Sequence, residues 1–504
     1  MFRPVCEYRK CVSRFRTTQQ WQDRTVREAD AVVVGAGPNG LTAAARLATA
    51  GRRVIVLEAG PTIGGGCRSA ASTRPGFVHD VCAGFHPFGA SSPAFEALGV
   101  WDRVPLDLPP VQFAHPVDGG HAGAVWRDVD VTAEHLGRDG ARWRRLVTPH
   151  VRAWSRLAAE IQQPIVHSPR APIAFARFGL VGLGSAIRIG SRFTTDAAAA
   201  LVPGCAAHSA VPLEQALVGG LGLALAVAAH GPGWPVARGG SQSIVDALGA
   251  IVTEHGGVIE CNRQVRSLAD LPEAPVVLFD TSPRQLSHIG GARLPDRYRR
   301  RLDAFTPGPG VVKLDYALRE PVPWAAEVVR HAGTVHVGGP MLEIAAAERT
   351  IADGGLPASP YVLVGQQSVA DPSRAPAGQH TLWAYTHVPQ GVPYDADAVR
   401  GITERVEAQI ERFAPGFGDV VLERRVTTTH EYEAYNPNMH GGDFAGGAVT
   451  VRQLIARPVA CLDPWRTPGG NGWYLCSASS SPGPGVHGMS GWLAAGSALR
   501  HELR

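Results

Sequence analysis

The stretch 32-VVVGAGPNGL-41 decides the fold: an apolar run breaks into glycines and then turns helical. Ala31 to Val34 reads as a buried strand, and Pro38 stands where the first turn of a helix tolerates proline. Leu41, Ala44, Ala45 and Ala48 form the face that packs on a sheet, and Gly51 closes the helix. Val54 to Leu57 follows as a second short strand, ending in Glu58. Strand, glycine turn, helix and strand make a βαβ unit. The G-x-G-x-x-G spacing brings backbone N–H groups against a pyrophosphate. Gly35 turns the chain, Gly37 leaves room for phosphate, and Gly40 lets helix and strand approach. Ala36, Pro38 and Asn39 share that turn, and the helix N-terminus adds partial positive charge. Glu58 lies 18 residues after Gly40, where a carboxylate accepts hydrogen bonds from a ribose.

FAD and NAD both use such a turn, and the next residues favour FAD. In 59-AGPTIGGGCRSA-70, Ala59 follows the acid. Gly64, Gly65 and Gly66 then let a loop pass close to a bound cofactor, and Arg68 can meet phosphate charge or a flavin edge.

Related segments recur far downstream. Ser241 reads as the cap of a helix carrying Ile244, Val245, Leu248, Ile251 and Val252, and Gly256 and Gly257 close it. Val258 to Glu260 and Val276 to Phe279 read as strands. Last come a strand, Trp473 to Cys476, a Ser/Pro/Gly-rich loop, and a helix from about Val486 to Glu502. That loop holds a second glycine match at Gly483, Gly485 and Gly488, but no strand or ribose acid follows. The helix N-terminus is therefore expected to face the flavin already bound, through Ala478, Gly485, Val486, Gly488 and Met489.

The bulk numbers suit a soluble globular chain of several domains: 504 residues, 45% hydrophobic and 18% charged. A net charge of only +4 argues against nucleic acid. Eight cysteines without CxxC or metal-ligand spacing read as reduced thiols, and no metal is expected. Residues 1–28 are polar and arginine-rich with no apolar core, which reads as a disordered extension or an upstream start, with an organelle transit peptide as the alternative, and not as a secretory signal. The longest apolar run, Ala216 to Ala229, is 14 residues, short of the ~20 of a membrane span. The expected α/β architecture is a Rossmann-like FAD domain built from 29–100, 233–300 and 461–504. An α+β substrate domain is inserted as 101–232 and 301–460.

GAGPNGL at 35–41, LEAG with GGGCRS at 57–69, and CSASSSPGPGVHGMSG at 476–491 resemble the phytoene desaturase (phytoene dehydrogenase-related) flavoproteins. GWPVARGGSQSI at 233–244 and NPNMHGGD at 436–443 are weaker matches, and the likeness runs from about Asp30 to Arg504. Cys67 before Arg68, and His487 where the carotenoid desaturases commonly carry proline, are departures that leave the substrate open. The resemblance implies non-covalent FAD, a fold of the glutathione-reductase-like flavoprotein type, and redox or isomerase chemistry on a long isoprenoid-like molecule. It also implies that the Val265 backbone contacts the adenine.

Catalytic groups are sparse. Oxidising an allylic C–H needs a flavin held against the carbon, an apolar cavity and a base. His487 and His86 are the candidate bases. Trp383, Tyr385 and His387 alternate like one strand face, either a cavity wall or, favoured, sheet packing, and His440 and Asp443 are expected to serve a turn. Arg188 and Arg192 share one face of an apolar helix over 171–193, an element that packs in the substrate domain or touches a membrane surface. Leu213 to Ala229 lines an apolar tunnel in this reading. The expected activity is hydride transfer from a hydrophobic, isoprenoid or carotenoid-like substrate to FAD, in the cytoplasm or peripheral to the membrane. O2, a quinone or a protein is the electron acceptor. A flavin-dependent isomerase, an amine-oxidase-like enzyme and a non-catalytic flavin or lipid binder are the alternatives.

Overall fold

The computed structural model describes residues 29–504. The expectations for residues 1–28 lie outside the described residues.

A five-stranded parallel sheet carries the glycine turn. Ala31–Val34 sits at its centre, between Val276–Phe279 and Val54–Leu57; Trp473–Leu475 and Val258–Glu260 lie outermost. In chain order the strands run 3-2-1-4-5, the doubly wound arrangement in which ligands bind at the carboxyl ends of the strands. The central strands are buried along their whole length, as parallel strands covered on both faces must be. One covering layer is made by the helices Pro38–Thr49, Gln242–Glu254 and Met489–His501. The contact is close: a Cβ on Gly491 would stand 1.8 Å from the Asn39 carbonyl oxygen.

A second, mixed sheet has seven strands. Its order is Val421–Thr427, Gly310–Leu318, His380–Val388, Val362–Gly365, Ala332–Val337, Val111–Val117 and His121–Val125. All neighbours are antiparallel except Val111–Val117 and Ala332–Val337, where two distant parts of the chain meet in parallel. The amphipathic helix Ala396–Phe413 buries Ile402, Val406, Ile410 and Phe413 in the core of this sheet. A helical layer that includes Asp196–Ala206 and Val218–His230 packs with Trp143, Phe113 and Trp234 in another core.

Three local readings change. Ser241 does not cap its helix; its hydroxyl is committed to the Ala83 carbonyl (2.7 Å) and to His86 (2.9 Å). The stretch 171–193 is two helices, Pro172–Gly182 and Ala186–Gly190, broken where Ser185 caps the second. Arg192 lies beyond the second helix, so Arg188 and Arg192 do not share a helical face. The C-terminal helix starts at Met489, because Gly488 takes a left-handed conformation (φ 65°) that ends the loop. Among the described residues, no helix is long and apolar enough to cross a membrane. The described cysteines, Cys67, Cys82, Cys205, Cys261, Cys461 and Cys476, are all free.

Candidate active site

One cavity of ≈ 750 Å³ opens at the carboxyl ends of the parallel strands and runs to the face of the mixed sheet. Its cradle end is built by the glycine turn. Gly35, Gly37, Pro38 and Asn39 line it, as do Glu58 and Ala59, then Gly65, Gly66 and Arg68. Val265 joins from the segment after Val258–Glu260, and Ala478, Gly485 and Val486 from the C-terminal loop. His86 also faces the cavity.

The hydrogen bonds explain the cradle. Glu58 accepts from the N–H groups of Ala36 (2.8 Å) and Gly60 (2.7 Å), which fixes its carboxylate at the strand end. Arg68 stands 3.5 Å from the same carboxylate and lies over the Tyr435 ring. The second glycine loop is tied to the first by Gly64 N–H donating to the Ala36 carbonyl (2.8 Å). Gly65 has φ +52°, and a Cβ there would stand 3.1 Å from Gly37 Cα. No side chain fits between the two loops without shifting one of them.

Sequence reasoning missed Asp280, at the end of Val276–Phe279 directly beneath the turn. Its carboxyl accepts from Gly40 N–H (2.9 Å) and also draws on Gly37 N–H. Burial raises its pKa to about 7, and Glu58 nearby adds to the rise. The Gly40 and Ala36 N–H groups are thus spent on Asp280 and Glu58, and neither Gly40 nor Ala36 lines the cavity. They hold the turn rather than the ligand.

His487, Gly488 and Met489 also stand away from the cavity lining. The buried His487 ring accepts the Met489 N–H at Nδ1 (3.1 Å), so it caps the C-terminal helix. This corrects its candidacy as a base. Gly488 packs on Thr42 and Phe95, so Pro484, Gly485 and Val486 form the exposed lip instead.

His86 is placed differently. The Ser241 hydroxyl donates to Ala83, so it accepts from His86 Nε2–H. His86 Nδ1 is then a bare acceptor, buried and without a partner. Burial lowers its pKa to about 4, so the ring is neutral at neutral pH.

The opposite wall comes from the mixed sheet. Trp383 and Tyr385 stack at 5.6 Å and line the cavity, which corrects their reading as sheet packing. His387, next on that face, is turned instead onto Glu348 (2.8 Å). Lys313, unnoticed in the sequence, is buried, lines the cavity, and donates from Nζ to the Asp80 carbonyl (3.0 Å) and to Asp315. Asp443 accepts from the N–H groups of Gly308, Ala445 and Gly447, the turn role expected of it. Leu221 and Leu225, from Val218–His230, line the apolar end.

The residues fit a dinucleotide. Asn39 Oδ1 and Thr281 Oγ1 line the cradle as buried polar atoms without partners, which a polar ligand would satisfy. Glu58 stands at the strand end where a ribose diol is held, and the cavity continues past the phosphate turn toward aromatic walls.

Comparison with known proteins agrees. The family model of the NAD(P)-binding Rossmann-like domain matches residues 33–104. The chain is 27% identical over 294 residues to the rat pyridine nucleotide-disulfide oxidoreductase domain-containing protein 2, covering 52% of this chain and 50% of that one. It is 24% identical over 277 residues to the neurosporene-forming phytoene desaturase of Rhodobacter capsulatus, 51% of each. The chain thus spans about half the length of the curated relatives it matches. In fold it is similar to putrescine oxidase in its putrescine complex (TM-score 0.61, 16% identity, 95% of this chain and 100% of that one). A Methanosarcina mazei oxidoreductase is also similar (TM-score 0.60, 17% identity, 94% and 100%). Fold and site together define an α/β, Rossmann-like dinucleotide-binding fold, similar to that of putrescine oxidase and of the Methanosarcina mazei oxidoreductase.

Proposed function

We propose that the chain is a desaturase or dehydrogenase of the phytoene desaturase-related type, with a fold of the glutathione-reductase-like flavoprotein subclass. In this reading it takes hydride from a long apolar, isoprenoid-like substrate. The observation that carries this is the lining of the cavity beyond the cradle, where Phe85, Phe88, Leu221, Leu225, Trp234 and Leu363 stand. Bound FAD supplies a hydride acceptor. The chain's own residues hold and exclude. Glu58 receives the ribose, the turn at Gly37 and Asn39 faces the pyrophosphate, and the aromatic walls shut out water. His86 offers a bare Nδ1 that can take a proton from an activated substrate carbon, and Lys313 fixes the loop around Asp80 against the mixed sheet.

The amine-oxidase reading fares worse on one point. The carboxylates lining the cavity are Glu58, Asp280 and Asp443. Each is committed to backbone N–H groups, so among the described residues lining the cavity no free carboxylate awaits an ammonium group.

The electron acceptor in this reading is O2, a quinone or another protein. Exposed Ile173 (83%) and Leu180 (84%) on the helix Pro172–Gly182, with exposed Arg170 and Arg177 beside them, support peripheral contact with an anionic lipid surface. The test is an anaerobic visible spectrum before and after adding a polyisoprenoid lipid extract. Bleaching of the flavin band is the expected result. A flavin that stays oxidised with every fraction overturns the dehydrogenase reading, and a colourless protein that takes up no FAD overturns the cofactor as well.

A further inference from the structure

The apolar end of the cavity is not uniformly apolar. His208 lines it, edge-on to Trp234 at 5.7 Å, and Trp234 is fixed by its Nε1–H on the Leu225 carbonyl (3.1 Å). Behind His208 stands His336, fully buried, with Nε2 of one ring 3.0 Å from Nε2 of the other. Thr334 lies two residues before His336 on the strand Ala332–Val337, so the two share a face. Thr334 also lines the cavity, and its hydroxyl is buried with no partner.

The proton on the histidine pair can be placed. His336 Nδ1 is buried without a partner, pressed toward Gly204, where a Cβ would stand 3.1 Å from it. If His336 carried its proton on Nδ1, that N–H would be orphaned, the costlier kind of unpaired group. The proton therefore sits on His336 Nε2 and is donated to His208 Nε2. His208 then carries its own proton on Nδ1, which has no hydrogen-bond partner among the described residues. Burial keeps both rings neutral; the His208 pKa falls to about 3. A neutral N–H donor and an unpaired hydroxyl are a poor seat for an ammonium group, and an unpaired carboxylate there would be costly to bury.

We propose that His208, oriented by His336, and Thr334 form a polar terminus that receives the neutral oxygen end, a hydroxyl or carbonyl, of an otherwise apolar substrate. This rests on the apolar-substrate reading above and narrows it: the preferred molecule is an oxygenated long-chain compound rather than a pure hydrocarbon or a fatty acid.

The test is equilibrium binding to the purified FAD-loaded protein, followed by quenching of tryptophan fluorescence. Three C20 probes are compared: geranylgeraniol, its deoxygenated hydrocarbon and geranylgeranoic acid. One buried hydrogen bond to the substrate oxygen distinguishes it, so the alcohol is expected to bind about tenfold more tightly than either other probe, ~1.4 kcal/mol. His208→Phe should bring the alcohol down to the hydrocarbon's affinity while leaving the hydrocarbon unchanged or tighter. His208→Gln, which keeps a donor, should restore part of the preference. Thr334→Val should lose several-fold of it, and carries the test if His208→Phe fails to retain flavin. Equal binding of alcohol and hydrocarbon by the wild type overturns the polar terminus and leaves the apolar-substrate reading standing. An alcohol preference that survives His208→Phe also overturns it. Binding of no probe overturns both.

Discussion

Asp280 puts a carboxyl group where the fold is about to receive phosphates. With its pKa raised to about 7, it is largely protonated at mildly acid pH and ionised at pH 8. The sign follows from linkage. Its pKa in the folded state lies above that of the unfolded chain, so its contribution to stability is fully present below pH ~4 and is lost as pH rises through about 7. Ionisation also sets a negative charge against the pyrophosphate. Asp280→Asn keeps an acceptor for Gly40 N–H and removes that charge. We expect it to raise the melting temperature by ~2 °C or more at pH 8, with little change at pH 4, and to flatten the loss of FAD retention with pH. Thermal melts and flavin release across pH 5–9 check this; a variant that tracks the wild type at every pH would refute it. Glu58→Gln tests the other carboxylate. It weakens the charge-assisted bonds to Ala36 and Gly60 and to the ribose, and FAD affinity should fall roughly tenfold or more by titration of the apoprotein.

At the scale of elements, the glycine turn was legible because every part of it is local. Strand, turn, helix and acid fall within residues 31–58, and each obeys a short-range rule. The strands Val258–Glu260 and Val276–Phe279 were legible for the same reason, as bounded apolar runs. Asp280 was not, because its partner Gly40 lies 240 residues away. Trp383 and Tyr385 were misread because alternation says which residues share a face, not whether a cavity or a core lies over it. His487 was misread because proximity to a flavin loop does not fix a ring's direction; capping a helix N–H does. Its cap yields a prediction. His487→Ala should cost about 1 kcal/mol, seen as a melting temperature lower by roughly 1–2 °C, with the pH profile of turnover unchanged. A displaced pH profile would restore His487 to the chemistry.

At the scale of the molecule, two sheets share one cavity, and a buried arginine ties together the segments that run between them. Arg374, from the loop before His380–Val388, is fully buried. It donates to Asp371 (3.0 Å), to Asp80 (3.1 Å) and to the Ala237 carbonyl (2.9 Å). Asp80 in turn accepts from Ser69 and from Ser241 N–H, and Asp371 accepts from Gly239 N–H (2.7 Å). Lys313, bonded to the Asp80 carbonyl and to Asp315, joins the network to one strand of the mixed sheet. Removing one member leaves an unpaired buried charge, so Arg374→Met should cost on the order of 3–5 kcal/mol in a denaturant melt. The wild-type melt should be one cooperative transition seen alike by flavin and tryptophan signals; two separated transitions would show that this network does not couple the sheets.

The sheet order has a consequence for how the chain is made. Trp473–Leu475 pairs with Val276–Phe279, yet it leaves the ribosome some 200 residues later, after every strand of the mixed sheet, and hundreds of residues after Ala31–Val34. At bacterial or eukaryotic elongation speeds, Val276–Phe279 waits on the order of half a minute with one edge unpaired. The glycine turn, written first, is therefore among the last features to become able to hold a nucleotide. Newborn chains would depend on chaperone cover during that interval, and a nonsense mutation shortly before codon 473 would yield a product with no cofactor, however intact its opening motif.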